Sequence, residues 1–246
     1  MTIEQTAVDK LHEEGIKSAS QLLPLENGGR LTRNEFERRY SAMPHIKRAE
    51  LIEGVVYIAS PVRYQGHGQP HSWIMTWLGV YCSATPGVQL ADNTTVRLDP
   101  DNEVQPDALL RLEPEQGGNS RISDDDYVEG APELIVEIAS TSAAHDMHDK
   151  LKVYRRNGVQ EYIAWQTYDN RLDWFRLHES QYIPLTPDAS GVAKSKIFPG
   201  LHLAVAALLK GDLAKVLSAL QEGLGADEHA AFIERLLNSS QHGLVN

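Results

Sequence analysis

Nine residues at the middle of the chain, P-E-L-I-V-E-I-A-S at 132–140, restrict the fold more than any other stretch. A nearly continuous apolar run of this length is the pattern of a central strand covered on both faces. Such strands sit in sheets with helices packed on each side, so the run predicts an α/β architecture. It also contains an anomaly, because Glu137 lies among Leu134, Ile135, Val136 and Ile138. An unpaired charge in a packed core is costly, so an acid here needs a metal, an arginine partner or a solvated edge.

The flanking sequence supplies the other elements. Thr32 with Glu35 reads as a capping box opening a helix through Tyr40, and 50–58 reads as a hairpin turning at Glu53-Gly54. Trp73, Ile74, Trp77, Leu78 and Tyr81 recur at helical spacing, which predicts a helix over 71–84 after a loop at 66–70. Strands are expected at 94–98 and 104–112, about a turn at Asp99-Pro100-Asp101-Asn102. The Gly-, Ser- and Asp-rich 113–130 reads as a mobile loop, and 146–156 as a helix stopped by Asn157-Gly158. Strands at 161–166 and 171–178 flank Asp169-Asn170, and a shorter one begins at Tyr182. Beyond Pro199-Gly200, 208–220 is amphipathic and Asp227 caps a second helix through Leu237. The reading is a loosely structured segment at 1–30, a mixed α/β domain at 31–205 and a helical extension at 206–246. Two roles stay open for the tail helices, packing on their own domain or a homodimer contact.

Composition narrows the function classes. One cysteine, Cys82, excludes an internal disulfide framework and a cysteine-based zinc site. No apolar run is long enough to span a membrane, and the polar, acidic N-terminus is unlike a secretory leader, so a cytoplasmic protein fits best. The net charge of -11 speaks against a protein that coats nucleic acid, but not against a nuclease with a metal-binding acidic site. No phosphate-binding or dinucleotide-binding glycine fingerprint is present, and Ser140 and Ser142 lack a nucleophile-elbow context. His145, Asp146, His148 and Asp149 crowd a helix start without a distant third ligand, so a polar helix N-terminus is a plainer reading than zinc. His67 and His71 are four apart, but Gly68 and Pro70 between them argue against a shared helix face.

The acids carry the functional argument. If the strands bearing Asp107 and Glu137 are neighbours, both carboxylates can converge on one hard cation, Mg²⁺ or Mn²⁺. Such a cation activates a phosphodiester, and a nearby lysine offsets charge in the transition state. Lys150 shares a helix face with Asp146 and Tyr154, four residues to either side. Taken singly, Lys150 also fits a solvated lysine paired with Asp146, and Asp107 a strand-start acid after Pro106.

Taken together and in order, these motifs resemble the Uma-type endonuclease family, which is restriction-endonuclease-like and belongs to the PD-(D/E)XK nuclease superfamily. The resemblance rests on E-L-I-E-G at 50–54, Ser60-Pro61 followed by His71, Pro106-Asp107 and Glu137 within its strand. It continues with S-x-S at 140–142, D-x-x-x-K-x-x-x-Y at 146–154, G-V-x-E-Y at 158–162 and P-G-L at 199–201. It implies a restriction-endonuclease-like core, a central mixed β-sheet flanked by helices, with a divalent metal and hydrolysis of DNA phosphodiester bonds. Asp107 and Glu137 then stand as metal ligands, Glu50 as a supporting acid and Lys150 as the catalytic lysine. His71, Ser140 and Tyr154 are taken as substrate contacts, with His71 equally readable as a polar helix-start residue. The superfamily's lysine two residues after the second acid is replaced by Ala139, and Gln166 ends a strand that often ends in aspartate. The alternative is a nuclease-like fold without catalysis, serving as a nucleic-acid-binding or assembly module.

Overall fold

A computed structural model describes residues 23–139 and 144–242. The described chain begins with helix α1 (Arg33–Ser41) and the hairpin β1 (Ala49–Ile52) and β2 (Val55–Ile58). A π-helical turn (Tyr64–Gly68) runs directly into α2 (Gln69–Ala84). Four strands follow, β3 (Val88–Asp92), β4 (Val96–Asp99), β5 (Asn102–Val104) and β6 (Ala108–Leu112), then β7 (Ser120–Ile122) and β8 (Val128–Gly130). The apolar run is β9 (Leu134–Ala139), followed by α3 (Ala144–Asn157), β10 (Glu161–Gln166), β11 (Arg171–His178) and β12 (Gln181–Pro184). The chain closes with β13 (Val192–Lys194), β14 (His202–Ala204), α4 (Val205–Leu209), α5 (Leu213–Leu224) and α6 (Asp227–His242).

Two six-stranded sheets organise these elements. The central sheet has the order β12-β11-β10-β9-β6-β3, and the outer sheet β2-β1-β5-β4-β8-β7. Within the central sheet β9 pairs in parallel with β10 and antiparallel with β6. The apolar run is thus a central strand, as its composition predicts, and its two faces meet different partners. Leu134, Val136 and Ile138 pack with Ile74, Trp77, Leu78 and Tyr81 of α2. Ile135 packs on the other side with Leu109, Val153 and Tyr154, so α3 covers that face. The period-2 alternation of a strand puts Glu137 on the α3 face with Ile135.

The hairpin turns where the sequence places it, with Glu53 and Gly54 both at positive φ (52° and 71°) as a tight two-residue turn requires. Several other segments differ from expectation. The predicted strand 104–112 is two strands in two sheets, and Pro106, which has no N–H to give a ladder, lies in the crossing between β5 and β6. The stretch 113–130, expected as a loop, contains β7 and β8. Glu133 secures it, accepting from the backbone N–H of Leu112 and of Asn119, both at 2.8 Å. Thr32 precedes α1 without a side-chain cap, and the Glu35 carboxylate is bonded to Arg38 and Arg39. The expected looseness up to residue 30 ends before Leu25, which is buried, and Gly28 and Gly29 exchange backbone hydrogen bonds with Val56. Residues 1–22 lie outside the described part.

The C-terminal helices pack on the body of the chain. Leu208, Val216, Leu220, Phe232 and Leu236 join the same core as Trp77 and Tyr81. Trp77 Nε1 donates to the His202 carbonyl and Tyr81 Oη to the Pro199 carbonyl, both at 2.9 Å. Among the described residues no helix is long and apolar enough to cross a membrane. Tail and body approach closely at Gly223, where an added Cβ would stand 2.2 Å from the Gly200 carbonyl oxygen. A backbone atom there cannot step aside, so Gly223→Ala is expected to lower stability by about 1–3 kcal/mol, the usual range for overpacking. Urea unfolding followed by tryptophan fluorescence checks it, and an unchanged midpoint would mean that α5 is not tightly docked.

Candidate active site

The register of β6 against β9 decides which acids meet. Ala108 pairs with Val136 in an antiparallel ladder, so the preceding Asp107 comes opposite Glu137 and on the same face. The third acid, Glu50, belongs to β1 in the outer sheet. It is brought in by Lys150 of α3, whose Nζ donates to Glu137 Oε1 and to Glu50 Oε1, both at 2.9 Å. Tyr154, one turn further along α3, donates its hydroxyl to the same Glu137 oxygen at 2.6 Å. Four of the residues singled out by sequence, Glu50, Asp107, Glu137 and Lys150, therefore share one cluster.

Asp107 is 2% exposed, and each of its oxygens has a protein partner. Its Oδ1 accepts from Arg48 Nη1 at 3.0 Å and contacts His67 Nε2 at 3.1 Å, while Oδ2 accepts from the Ile138 backbone N–H at 2.7 Å. Arg48 also donates to the Gln105 carbonyl, and the Gln105 N–H donates to Glu50 Oε1 at 2.7 Å. Arg48 and His67 are the residues that sequence reasoning missed. Arg48 stands two positions before Glu50, the offset that puts both on one face of an extended chain, and this was the available signal. His67 and His71 do come to one side, contrary to expectation. The π-turn continues without a break into α2, and the two rings stack with centroids 5.6 Å apart.

The other predicted contacts sort differently. His71 Nε2 lies 2.9 Å from the Asp107 carbonyl oxygen and 3.1 Å from Asp92 Oδ1, so it supports the Asp107 backbone. Tyr154 is fully buried, and its hydroxyl positions Glu137 rather than facing a substrate. Ser140 and the Asp146 side chain lie outside the described residues. At position 139, where the superfamily pattern would carry lysine, the chain has Ala139, and the ammonium reaches Glu137 from α3 instead.

The electrostatics follow from burial. Desolvation alone would raise the Asp107 carboxyl, but the bond from His67, the charge of Arg48 and the Ile138 N–H hold it well below the usual carboxylate range. Burial would lower Lys150, yet the charges of Glu137 and Glu50 keep it above the ordinary lysine value, so it stays an ammonium. Glu137 is pushed up to about 7, by desolvation first, and the attraction of Lys150 is opposed by the charges of Asp107 and Glu50. Three carboxylates against two permanent cations leave the cluster short of positive charge.

The acidic side of this set is all carboxylate oxygen, the donor type that hard divalent cations choose. Glu137 Oε1 is taken by Lys150 and Tyr154, and Oε2 has no protein donor among the described residues. Among those residues no three His, Cys, Asp or Glu side chains stand together as a complete metal cage. Two carboxylates plus water and substrate phosphate suffice for Mg²⁺, which seldom uses an all-protein cage.

A model of the Uma2 family, described as a putative restriction endonuclease, matches residues 33–206. The chain belongs to this family. The matched span takes in Arg48, Glu50, His67, Asp107, Glu137 and Lys150, so the whole cluster lies within the Uma2 region. A solved structure described as a putative nuclease belonging to DUF820, from Anabaena variabilis ATCC 29413, superposes with a TM-score of 0.56. The likeness covers 73% of this chain and 98% of that one at 13% sequence identity, and at that identity it establishes the fold alone. The fold class expected from sequence, α/β and restriction-endonuclease-like, is thereby shown. No curated protein matches the chain.

The raised Glu137 carboxyl makes stability depend on pH. Between its ordinary value of 4.5 and about 7, the folded chain keeps a proton that the unfolded chain has released, so stability falls as pH rises through that window. Asp107 acts with the opposite sign, but only below its ordinary value of 3.8. Glu137→Gln keeps Lys150 paired with Glu50 and removes the titrating carboxyl at position 137. In chelator, the variant is expected to be more stable than wild type at pH 8, with the difference shrinking by pH 5. Urea unfolding at the two pH values measures this, and a variant less stable at pH 8 would show that Lys150 fully neutralises Glu137.

Proposed function

We propose that this Uma2-family chain is a divalent-metal-dependent endonuclease that hydrolyses DNA phosphodiester bonds. The observation that carries the reading is the Lys150 ammonium held between Glu137 and Glu50, on the face where β6 and β9 bring Asp107 opposite Glu137. The family description supports the reaction class.

Asp107 and Glu137 would hold Mg²⁺ or Mn²⁺. Bound there, the ion supplies Lewis-acid charge at the phosphoryl oxygens and favours deprotonation of the attacking water. The chain's own residues do the rest. Lys150 stays protonated at neutral pH, so it acts as a donor and a positive charge rather than as a base. Its two carboxylate partners fix the ammonium where it can hydrogen-bond the attacking water or a phosphoryl oxygen. Arg48 and His67 hold the Asp107 carboxylate from one side and the Ile138 N–H from the other, which sets its orientation before substrate arrives. Tyr154 does the same for Glu137.

One observation favours a second reading, a nuclease-like fold acting as a nucleic-acid-binding or assembly module. Lys150 is deep and already bonded to two carboxylates, and Ala139 replaces the superfamily lysine. Cleavage of supercoiled plasmid and of single-stranded DNA separates the two. Wild type is expected to nick with Mg²⁺ or Mn²⁺ and to stop in chelator. Glu137→Gln and Lys150→Ala should each fall by about 100-fold or more, the scale for losing a positioned charge at a reacting group. Wild type that neither cleaves nor binds Mn²⁺ at millimolar levels by calorimetry is the module. Unchanged cleavage in both variants refutes the residue assignment.

A further inference from the structure

One concavity lies outside the acid cluster, with none of Asp107, Glu137 and Lys150 in its lining. It is a cleft of about 970 Å³ between the β1–β2 hairpin and the outer side of α3, closed by the end of β11 and the turn after it. Its floor includes Ile52, Val55 and Tyr57. Its cations are Arg30, Lys152, Arg155 and Arg156, against the acids Glu53 and Asp149. Four cations to two acids make a positive cleft on a chain whose net charge is -11.

Two of these cations are already spoken for. Arg156 pairs with Glu53 at 2.8 Å and Asp99 at 3.1 Å, and Lys152 pairs with Asp149 at 3.1 Å. The other two have no carboxylate. Arg155 Nη1 donates to the neutral Gln181 Oε1 at 2.7 Å, and Arg30 is exposed with no side-chain partner among the described residues. Arg30 lies on the hairpin side of the cleft, bridged to Val55, and Arg155 lies on α3. Cations on two walls of a wide cleft suit successive phosphates of a chain better than one small anion.

The cleft adjoins the acid cluster along the hairpin, since it is lined by Ile52 of the strand that carries Glu50. In the hairpin Ile52 pairs with Val55 and Glu50 with Tyr57, and cross-strand partners share a face. Glu50, which holds Lys150, therefore lies on the face that floors the cleft, two residues inward from Ile52. Two strand residues span about 6.8 Å, so the cleft begins close to where Lys150 enters the cluster.

We propose that this cleft is a binding site for the phosphate backbone of a nucleic-acid strand, taking phosphates that flank the one entering the Asp107–Glu137–Lys150 cluster. The proposal rests on the endonuclease reading, but its test does not require cleavage. The full-length Glu137→Gln chain in chelator is titrated with a fluorescent DNA oligonucleotide over a series of salt concentrations. Binding is expected to weaken steeply with salt. Adding Arg30→Gln and Arg155→Gln should weaken it at least tenfold at low salt and reduce the log–log salt slope by about 1.5, the change for two lost phosphate contacts. Arg121→Gln, an exposed arginine in the outer sheet, should leave the slope unchanged. Matched circular dichroism and unfolding midpoints show that the variants stay folded. An unaltered slope in the double variant overturns the assignment, even if wild type proves to be a nuclease. Absence of oligonucleotide binding at low salt overturns it as well. Competition by inorganic phosphate at the same phosphate concentration as the oligonucleotide would replace the strand with a single-phosphate ligand. Whether wild type cleaves in the separate metal assay decides the endonuclease reading independently.

Discussion

The Lys150 ammonium is the joint on which the architecture turns. Glu137 belongs to the central sheet, Glu50 to the outer sheet and Lys150 to the helix over both, so one charged group ties three elements together. Arg48 repeats the tie on the other side. It stands just before β1 yet bonds Asp107, at the crossing from the outer sheet to the central one. Neither tie would be strong in water, where an exposed ion pair contributes little. Both are largely sheltered from solvent, where removing one partner strands a desolvated charge. The relative placement of the two sheets and the shape of the acid cluster are thus set by the same few bonds.

What the sequence makes legible follows from how local each signal is. Glu137 stands out because its neighbours within two residues are all apolar, and a strand's period alone assigns it a face. Lys150 is legible because a one-turn spacing links it to Tyr154, and the structure brings both to one Glu137 oxygen. Arg48 and His67 are not legible in this way. They lie 59 and 40 residues from Asp107 in sequence, and only the folded sheet order brings them together.

Two mistaken elements have a common cause, composition read without tertiary context. Gly66, Gly68 and Pro70 look like helix breakers, yet the widened π-turn accommodates the glycines. Pro70 falls where the π-turn joins α2, and the carbonyl four residues back, that of Gly66, accepts from the Thr167 hydroxyl at 2.7 Å. The 113–130 stretch looks like a loop because its strands are short and polar. They form because β8 pairs with β4 and Glu133 satisfies two backbone donors from below. A buried carboxylate that caps backbone N–H groups is a long-range device, and no window of sequence contains it.

The energetics of Glu137 bear on whether the cluster is a working site. Desolvation and two neighbouring carboxylates push its pKa up to about 7, so its ionised form is disfavoured relative to that of a free carboxyl. An apolar residue of similar size in β9 would pack against Ile135 and Leu109 without that penalty, and replacing buried charges in this way is often neutral or stabilising. A binding module that touched nucleic acid only through the basic cleft would have no use for the acid. A site that must capture a cation does have a use for it, because a carboxylate short of positive charge gains most when the ion arrives. On the endonuclease reading proposed above, an incoming cation would relieve the penalty that Glu137 carries in joining the sheets through Lys150.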